Sequence, residues 1–259
     1  MSDTPLLASS DGPVATIELA RPAKFNALSR RCFELLRDAM RRFEADEAIR
    51  VVVLRAQGPN FCTGADLEEI LEFGIDGSAA GANAILTHEV LRQLEASRLP
   101  VIAAVQGLCL AGGLELMLAC DVVFAAASAR IGDQHARYGL IPGSGASQRL
   151  PRIVGLRRAL DLFFSARWID APTAENWGLV NRVVPDDRLE AEVLDYCRAL
   201  ARRNRRSIAI MKRLARDGLD GSLDDGLAAE AREVPAVLAS AGVQEGLAAF
   251  RERREPNFP

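Results

Sequence analysis

The stretch LAGGLELMLACD (110–121) sets one carboxylate, Glu115, just after the glycines at 112 and 113 in a run that is otherwise apolar. A strand pattern at 101–105 precedes it, and ELMLACD reads as a buried helix starting near Gly113. The first amides of a helix have no internal partners and, with the helix dipole, attract negative charge. Glycine there lets a ligand atom approach the backbone closely. Glu115 then has two readings, a favourable first-turn acid or a buried carboxylate with a task. Leu114, Leu116, Met117 and Leu118 leave it no wet face, which favours the second, because a buried carboxylate needs partners. FCTGADLEEI (61–70) offers a matching turn: it follows a strand pattern at 51–54, and Gly64 allows a turn into a helix beginning around Asp66, leaving the Ala65 amide near its start. If the Ala65 and Gly112 amides converge, they form an oxyanion hole suited to an enolate or a tetrahedral intermediate, in which each donor is typically worth about 2.7–4 kcal/mol.

Positioning two such turns requires a sizeable scaffold. The chain has 259 residues, enough for one α/β domain with an appended segment. Hydrophobic residues make up 49% and aromatics only 5%, so Leu, Val, Ile and Ala must build the interior. Short β-branched runs, VATIEL (14–19), VVVL (51–54), VIAAV (101–105), DVVFAA (121–126) and LVNRVV (179–184), alternate with helical periodicity. Ser29 is a helix N-cap, and Phe33, Leu36, Met40 and Phe43 follow on one helix face. Beyond residue 185 only helices are expected, at 189–203, 207–216, 223–240 and 243–253, with breaks at Asp217-Gly218 and Ala241-Gly242. The reading is an αβ core over 1–185 and a helical region over 186–259. Residues 74–83 (GIDGSAAGAN) are small and polar and read as a mobile loop near a pocket.

Composition also narrows the function. A formal charge of −3, with Arg and Lys dispersed, argues against nucleic acid. Five cysteines without a C-x-x-C pair and only two histidines suggest reduced thiols in a cytoplasmic protein and no metal site. No signal peptide is evident at the start. Gln106, Glu115 and Asp121 interrupt the apolar segment 101–127, so it reads as core and not as a membrane span.

Taken in order, FCTGADL (61–67), VIAAVQGLCLAGGLELMLACD (101–121) and IPGSGASQRLPRIVG (141–155) resemble the enoyl-CoA hydratase/isomerase, or crotonase, superfamily. AKFNAL (23–28), WIDAPTAENWGLVNRVVP (168–185) and EGLAAFRERREPNF (245–258) extend the likeness over nearly the whole chain. The resemblance implies an α/β spiral of ββα units with a C-terminal helical trimerisation region, assembled as a homotrimer or dimer of trimers. It also implies an acyl-CoA thioester as substrate, coenzyme A being part of that substrate, with no separate cofactor. Its carbonyl would meet the Ala65 and Gly112 amides. Lys24, Phe25 and Ala27, with Asp66, Leu67 and Glu68, would line the CoA path, and Leu140 and Ile141 the acyl pocket, unless those two simply pack in the core.

Glu115 matches the first of the two glutamates that activate water in the hydratases. The second is absent, and His135 in IGDQHARYGLIPG (131–143) stands in its place. Hydration needs water at the β carbon and a proton at the α carbon, and a histidine, with an unperturbed pKa of about 6.5, is able to share that work. His135 is either such a group or a hydrogen-bonded structural residue, with Asp133 and Tyr138 near enough in sequence to orient or replace it. His88 reads as surface, and Arg202, Arg203, Arg205 and Arg206 as a solvated helix end or a contact to a CoA phosphate. The leading expectation is a hydratase-like lyase. A double-bond isomerase, a C–C bond hydrolase or a non-catalytic acyl-CoA-binding protein are the alternatives.

Overall fold

A computed structural model describes residues 4–72 and 78–258. The chain opens with β1 (Leu6–Asp11) and β2 (Val14–Leu19), an antiparallel hairpin that turns at Gly12 with φ +53°. There follow α1 (Arg30–Ala45), β3 (Val51–Ala56), α2 (Leu67–Glu72), α3 (Ser78–Ala96), β4 (Val101–Val105), β5 (Leu108–Leu110), α4 (Gly112–Leu118), β6 (Val122–Ala126) and β7 (Arg130–Gly132). After a 3-10 turn at His135–Tyr138 come α5 (Ala146–Val154), α6 (Leu156–Ser165), β8 (Ile169–Asp170), α7 (Ala171–Asn176) and β9 (Arg182–Val184). The last helices are α8 (Leu189–Ala201), α9 (Arg205–Gly218), α10 (Leu223–Leu238) and α11 (Ala241–Glu252).

Six strands form one sheet in the order β1-β2-β3-β4-β6-β9, parallel from β2 onward. Three short strands, β5-β7-β8, form a second sheet. The same unit recurs: β4 leads into β5 and then α4, and β6 leads into β7 and then α5. From β3 the chain reaches Cys62, which pairs in parallel with Cys109 of β5, before entering α2. These repeats are the expected spiral of ββα units.

Alternation along the strands divides the interior. Val52, Leu54, Val101, Ala103 and Val105 pack on one face with Phe33, Leu36 and Met40 of α1. Val51, Val53, Ile102, Ala104 and Phe124 pack on the other against Leu189, Val193 and Cys197 of α8. Full burial of such a side chain is worth about 1.5–3 kcal/mol. The first helix after residue 185 therefore closes the sheet, and α9–α11 continue beyond it. Ser29 accepts the Cys32 amide at 3.3 Å and caps α1.

Four details differ from the sequence reading. Residues 78–83 belong to α3, because Ser-Ala-Ala-Gly-Ala-Asn is rich enough in alanine to join the helix, whereas 74–77 lie outside the described residues. Only Arg182–Val184 of LVNRVV pairs as strand, since Leu179 and Val180 instead close the turn after α7. Gly218 ends α9 from within, and Ser240, not Ala241-Gly242, separates α10 from α11. The C-terminal helices start or end up to two residues from the periodicity limits, and α4 ends at Leu118, three residues before the end of ELMLACD. Segment 101–127 folds as β4, β5, α4 and β6, and no helix among the described residues is long and apolar enough to cross a membrane. The five cysteines are buried free thiols, and burial pushes those of Cys62 and Cys197 up to about 12.

Candidate active site

Two backbone turns meet at the end of the parallel strands. Leu28 donates its amide to Gly64 O at 2.8 Å, and Asp66 donates to Leu28 O at 2.9 Å, so the chain is held on both sides of Ala65. Gly64 adopts φ +119°, conformational space that favours glycine. A Cβ on Gly112 would lie 3.3 Å from the Ala65 nitrogen, and one on Gly64 would lie 3.3 Å from the Gly112 nitrogen. The Ala65 and Gly112 amides are thus neighbours, and neither has a hydrogen-bond partner among the described residues. Ala111 precedes Gly112 at φ 49° and ψ −117°, a conformation costing a non-glycine residue about 1–3 kcal/mol. Its amide is tied to Gly132 O at 3.0 Å, which fixes the turn to β7.

Glu115, only 2% exposed, does not cap its own helix. Its Oε1 accepts the amides of Ser144 (2.7 Å) and Ala146 (3.0 Å) at the start of α5. Burial raises its pKa above the ordinary carboxylate value, against the opposing pull of the Ala146 and Ser144 amides and of His135. The other oxygen, Oε2, lies 3.9 Å from Nε2 of His135.

His135 is half-buried at the start of the 3-10 turn. Its Nδ1 is 2.9 Å from Oδ2 of buried Asp133, and its amide donates to Oδ1 at 3.0 Å. An ionised carboxylate only accepts, so the neutral ring carries its proton on Nδ1 and turns the Nε2 lone pair toward Glu115. Burial pushes the imidazole pKa down, but the Asp133 hydrogen bond and the charges of Asp133 and Glu115 outweigh it, and the net shift is upward. A folded value above the unfolded one means that this interaction stabilises fully below about pH 6.5 and fades as pH rises through the raised value. In Asp133→Asn the His135 midpoint, followed by imidazole proton NMR, is expected to fall; an unmoved midpoint would show that the contact leaves the ring's basicity untouched.

The remaining sequence candidates spread outward. A cleft of about 290 Å³ is lined by Arg21, Lys24, Arg31, Asp66, Glu68 and Glu72 among others. Arg21 Nη1 bonds Asp66 Oδ2 at 2.7 Å, holding that carboxyl below its usual range despite burial, and also Ala27 O at 3.2 Å. Lys24 pairs with Glu68 at 2.5 Å. Phe25, in the left-handed region at φ 52°, and Leu67 are exposed. Leu140 and Ile141 are exposed too, so core packing does not account for them; Ile141 follows the 3-10 turn and is 83% accessible. Tyr138 points outward with Arg137 over its ring, away from a role in orienting His135. His88 is exposed, and Arg205 pairs with Glu47. Sequence reading missed the Ser144 and Ala146 amides, whose one signal is the Gly-Ser-Gly turn before α5.

The family model for enoyl-CoA hydratase/isomerase matches residues 9–259. A Rhizobium meliloti protein described as a probable enoyl-CoA hydratase is 37% identical, with 100% of this chain and 99% of that protein covered. A crotonyl-CoA hydratase from Syntrophomonas wolfei is 32% identical over 98% of this chain and 97% of its own. The crystal structure of an enoyl-CoA hydratase from Bacillus anthracis superposes with a TM-score of 0.93 at 33% identity, covering 98% of both chains. The chain belongs to the enoyl-CoA hydratase/isomerase, or crotonase, family, and shares its α/β fold with C-terminal helices.

Proposed function

We propose that this protein is a hydratase-like lyase adding water to an α,β-unsaturated acyl-CoA. The observation that carries the reading is the Oε2 of Glu115 facing Nε2 of His135 across 3.9 Å, on a helix whose first amide, that of Gly112, lies near the Ala65 amide, both without a hydrogen-bond partner among the described residues. An oxygen about 2.8 Å from each atom spans that gap, the separation expected for a hydrogen-bonded water. The thioester oxygen accepts from the Ala65 and Gly112 amides. Glu115 takes a proton as the water oxygen bonds to the β carbon, and the electron pair displaced from the double bond passes to the enolate oxygen at the amides. As the enolate collapses, the proton that Glu115 took passes by way of Nε2 of His135 to the α carbon, so that the hydroxyl and the proton of one water both end on the substrate. CoA lies along Lys24, Phe25, Ala27, Asp66, Leu67 and Glu68, with Leu140 at the acyl end.

The test is mass spectrometry of crotonyl-CoA incubated with the wild-type protein, where a product heavier by one water and loss of the conjugated thioester absorbance are expected. An Asp-backed histidine in place of a second glutamate favours a second reading, an isomerase or C–C bond hydrolase. Isomerisation leaves mass unchanged, and hydrolysis of a β-dicarbonyl thioester splits it. Binding with no product from either substrate class would instead mark an acyl-CoA-binding protein.

Assembly and setting belong to the same proposal. Leu219, Leu223, Leu227, Leu238 and Phe250 stand exposed on and around α10 and α11, which supports a homotrimer or dimer of trimers built through region 186–259. Light scattering is expected to return three or six times the 28.0 kDa chain mass, and a monomer would count against it. We place the protein in the cytoplasm on the strength of its unpaired cysteines.

A further inference from the structure

The loop that grips Glu115 is itself gripped. Arg149 of α5 donates from Nε and Nη2 to Oε1 and Oε2 of Glu95 at 2.7 and 3.0 Å, and from Nη1 to the Ser144 carbonyl at 2.8 Å. Both side chains are nearly buried, and the Arg149–Glu95 fork ties α5 to α3. Gly145, at φ +105°, sits directly over this guanidinium: a Cβ there would lie 2.1 Å from Nη1. Ser144 Oγ also bonds Oγ1 of buried Thr87 on α3 at 3.1 Å. Arg149 thus holds the 144–145 peptide unit, which lies between the two units whose amides donate to Glu115, and Thr87 holds the Ser144 side chain.

We propose that Arg149 is a positioning residue, a clamp that holds the Ser144 and Ala146 amides on Glu115 and so sets that carboxyl's basicity and aim. A guanidinium suits the task because its planar fork meets both carboxylate oxygens of Glu95 in parallel while its remaining nitrogen reaches the carbonyl, a bidentate geometry that an ammonium does not reproduce. The charged groups facing Glu115 are His135 and Asp133. Those around Arg149 are Glu95 and, beyond it, Arg92 (3.7 Å) and Arg216 (3.5 Å). The consequence for turnover rests on the hydratase reading; the consequence for Glu115 does not.

The experiment is a carbon-13 NMR titration of glutamate-labelled protein, the Glu115 signal being assigned by its absence in Glu115→Gln, for wild type, Arg149→Lys and Arg149→Met. Lost amide donors disfavour the ionised form, so the Glu115 midpoint is expected to rise by about one pH unit in both variants. With crotonyl-CoA, kcat is expected to fall about tenfold to a hundredfold with little change in KM. An unmoved Glu115 midpoint in a folded arginine variant overturns the clamp. Should neither variant fold, Glu95→Gln is titrated in their place, and an unmoved midpoint there overturns it equally. Failure of the wild type to hydrate any enoyl thioester overturns the reaction instead, and leaves the titration to decide the clamp.

Discussion

Glu115→Gln is expected to lose hydration of crotonyl-CoA by about 10²–10⁴-fold, the range set by removing a positioned acid/base group. The substitution is nearly isosteric, and the carbonyl of glutamine still accepts the Ser144 and Ala146 amides that now meet Oε1. What disappears is the ionisable Oε2 opposite His135. Because burial already disfavours the charged carboxylate, the variant is expected to melt at or above the wild-type temperature. The measurement is the decay of the conjugated thioester absorbance, with calorimetry as the folding control. Turnover unchanged in a folded variant removes Glu115 from the chemistry.

Gly113→Ala is expected to act on folding, whereas at its neighbour Gly112 the same methyl makes only tight contacts that a shift of a few tenths of an ångström relieves. At 113 the new Cβ would lie 2.2 Å from the Cys62 carbonyl oxygen and 2.8 Å from its carbon. That carbonyl accepts the Leu110 amide at 2.9 Å, so relief means parting the second sheet where Cys62 pairs with Cys109. Ordinary overpacking costs about 1–3 kcal/mol, and a clash with fixed backbone belongs at or beyond the top of that range. Set against a typical stability of about 5–15 kcal/mol, the variant should be insoluble or melt far below wild type. At 112 the nearest atoms are 3.3 Å away, among them the Ala65 nitrogen. Gly112→Ala should therefore fold, yet, on the proposed reading of its amide as an oxyanion donor, lose about 10²–10³-fold in kcat. Similar melting temperatures for the two variants would contradict this division of labour.

Legibility in the sequence followed length and burial. Val51–Leu54 and Val101–Val105 announced themselves because strands buried in a parallel sheet read as continuous aliphatic runs, and Val14–Leu19 did so by alternation, with Thr16 and Glu18 half-buried between buried aliphatics. β5, β7 and β8 have two or three residues each, too few for any period to emerge, and β1 is largely exposed and serine-rich. Glu115 stood out because a carboxylate among leucines is rare. The Ser144 and Ala146 donors did not, since a main-chain amide leaves no trace in residue type. Asp133 was visible only as a neighbour two places from His135, and only coordinates show both its oxygens turned onto that residue. Tyr138, equally close in sequence, faces solvent.

Ala111 carries a last implication. An alanine held at φ 49° and ψ −117°, where glycine would rest more easily, has far fewer alternatives than glycine would have. The entropy of ordering this corner is thereby spent while the chain folds, not when a thioester arrives. On the proposed reading, the receptor for the acyl oxygen is cast in advance, so that an incoming thioester meets a rigid socket and its affinity is spared the penalty of shaping one.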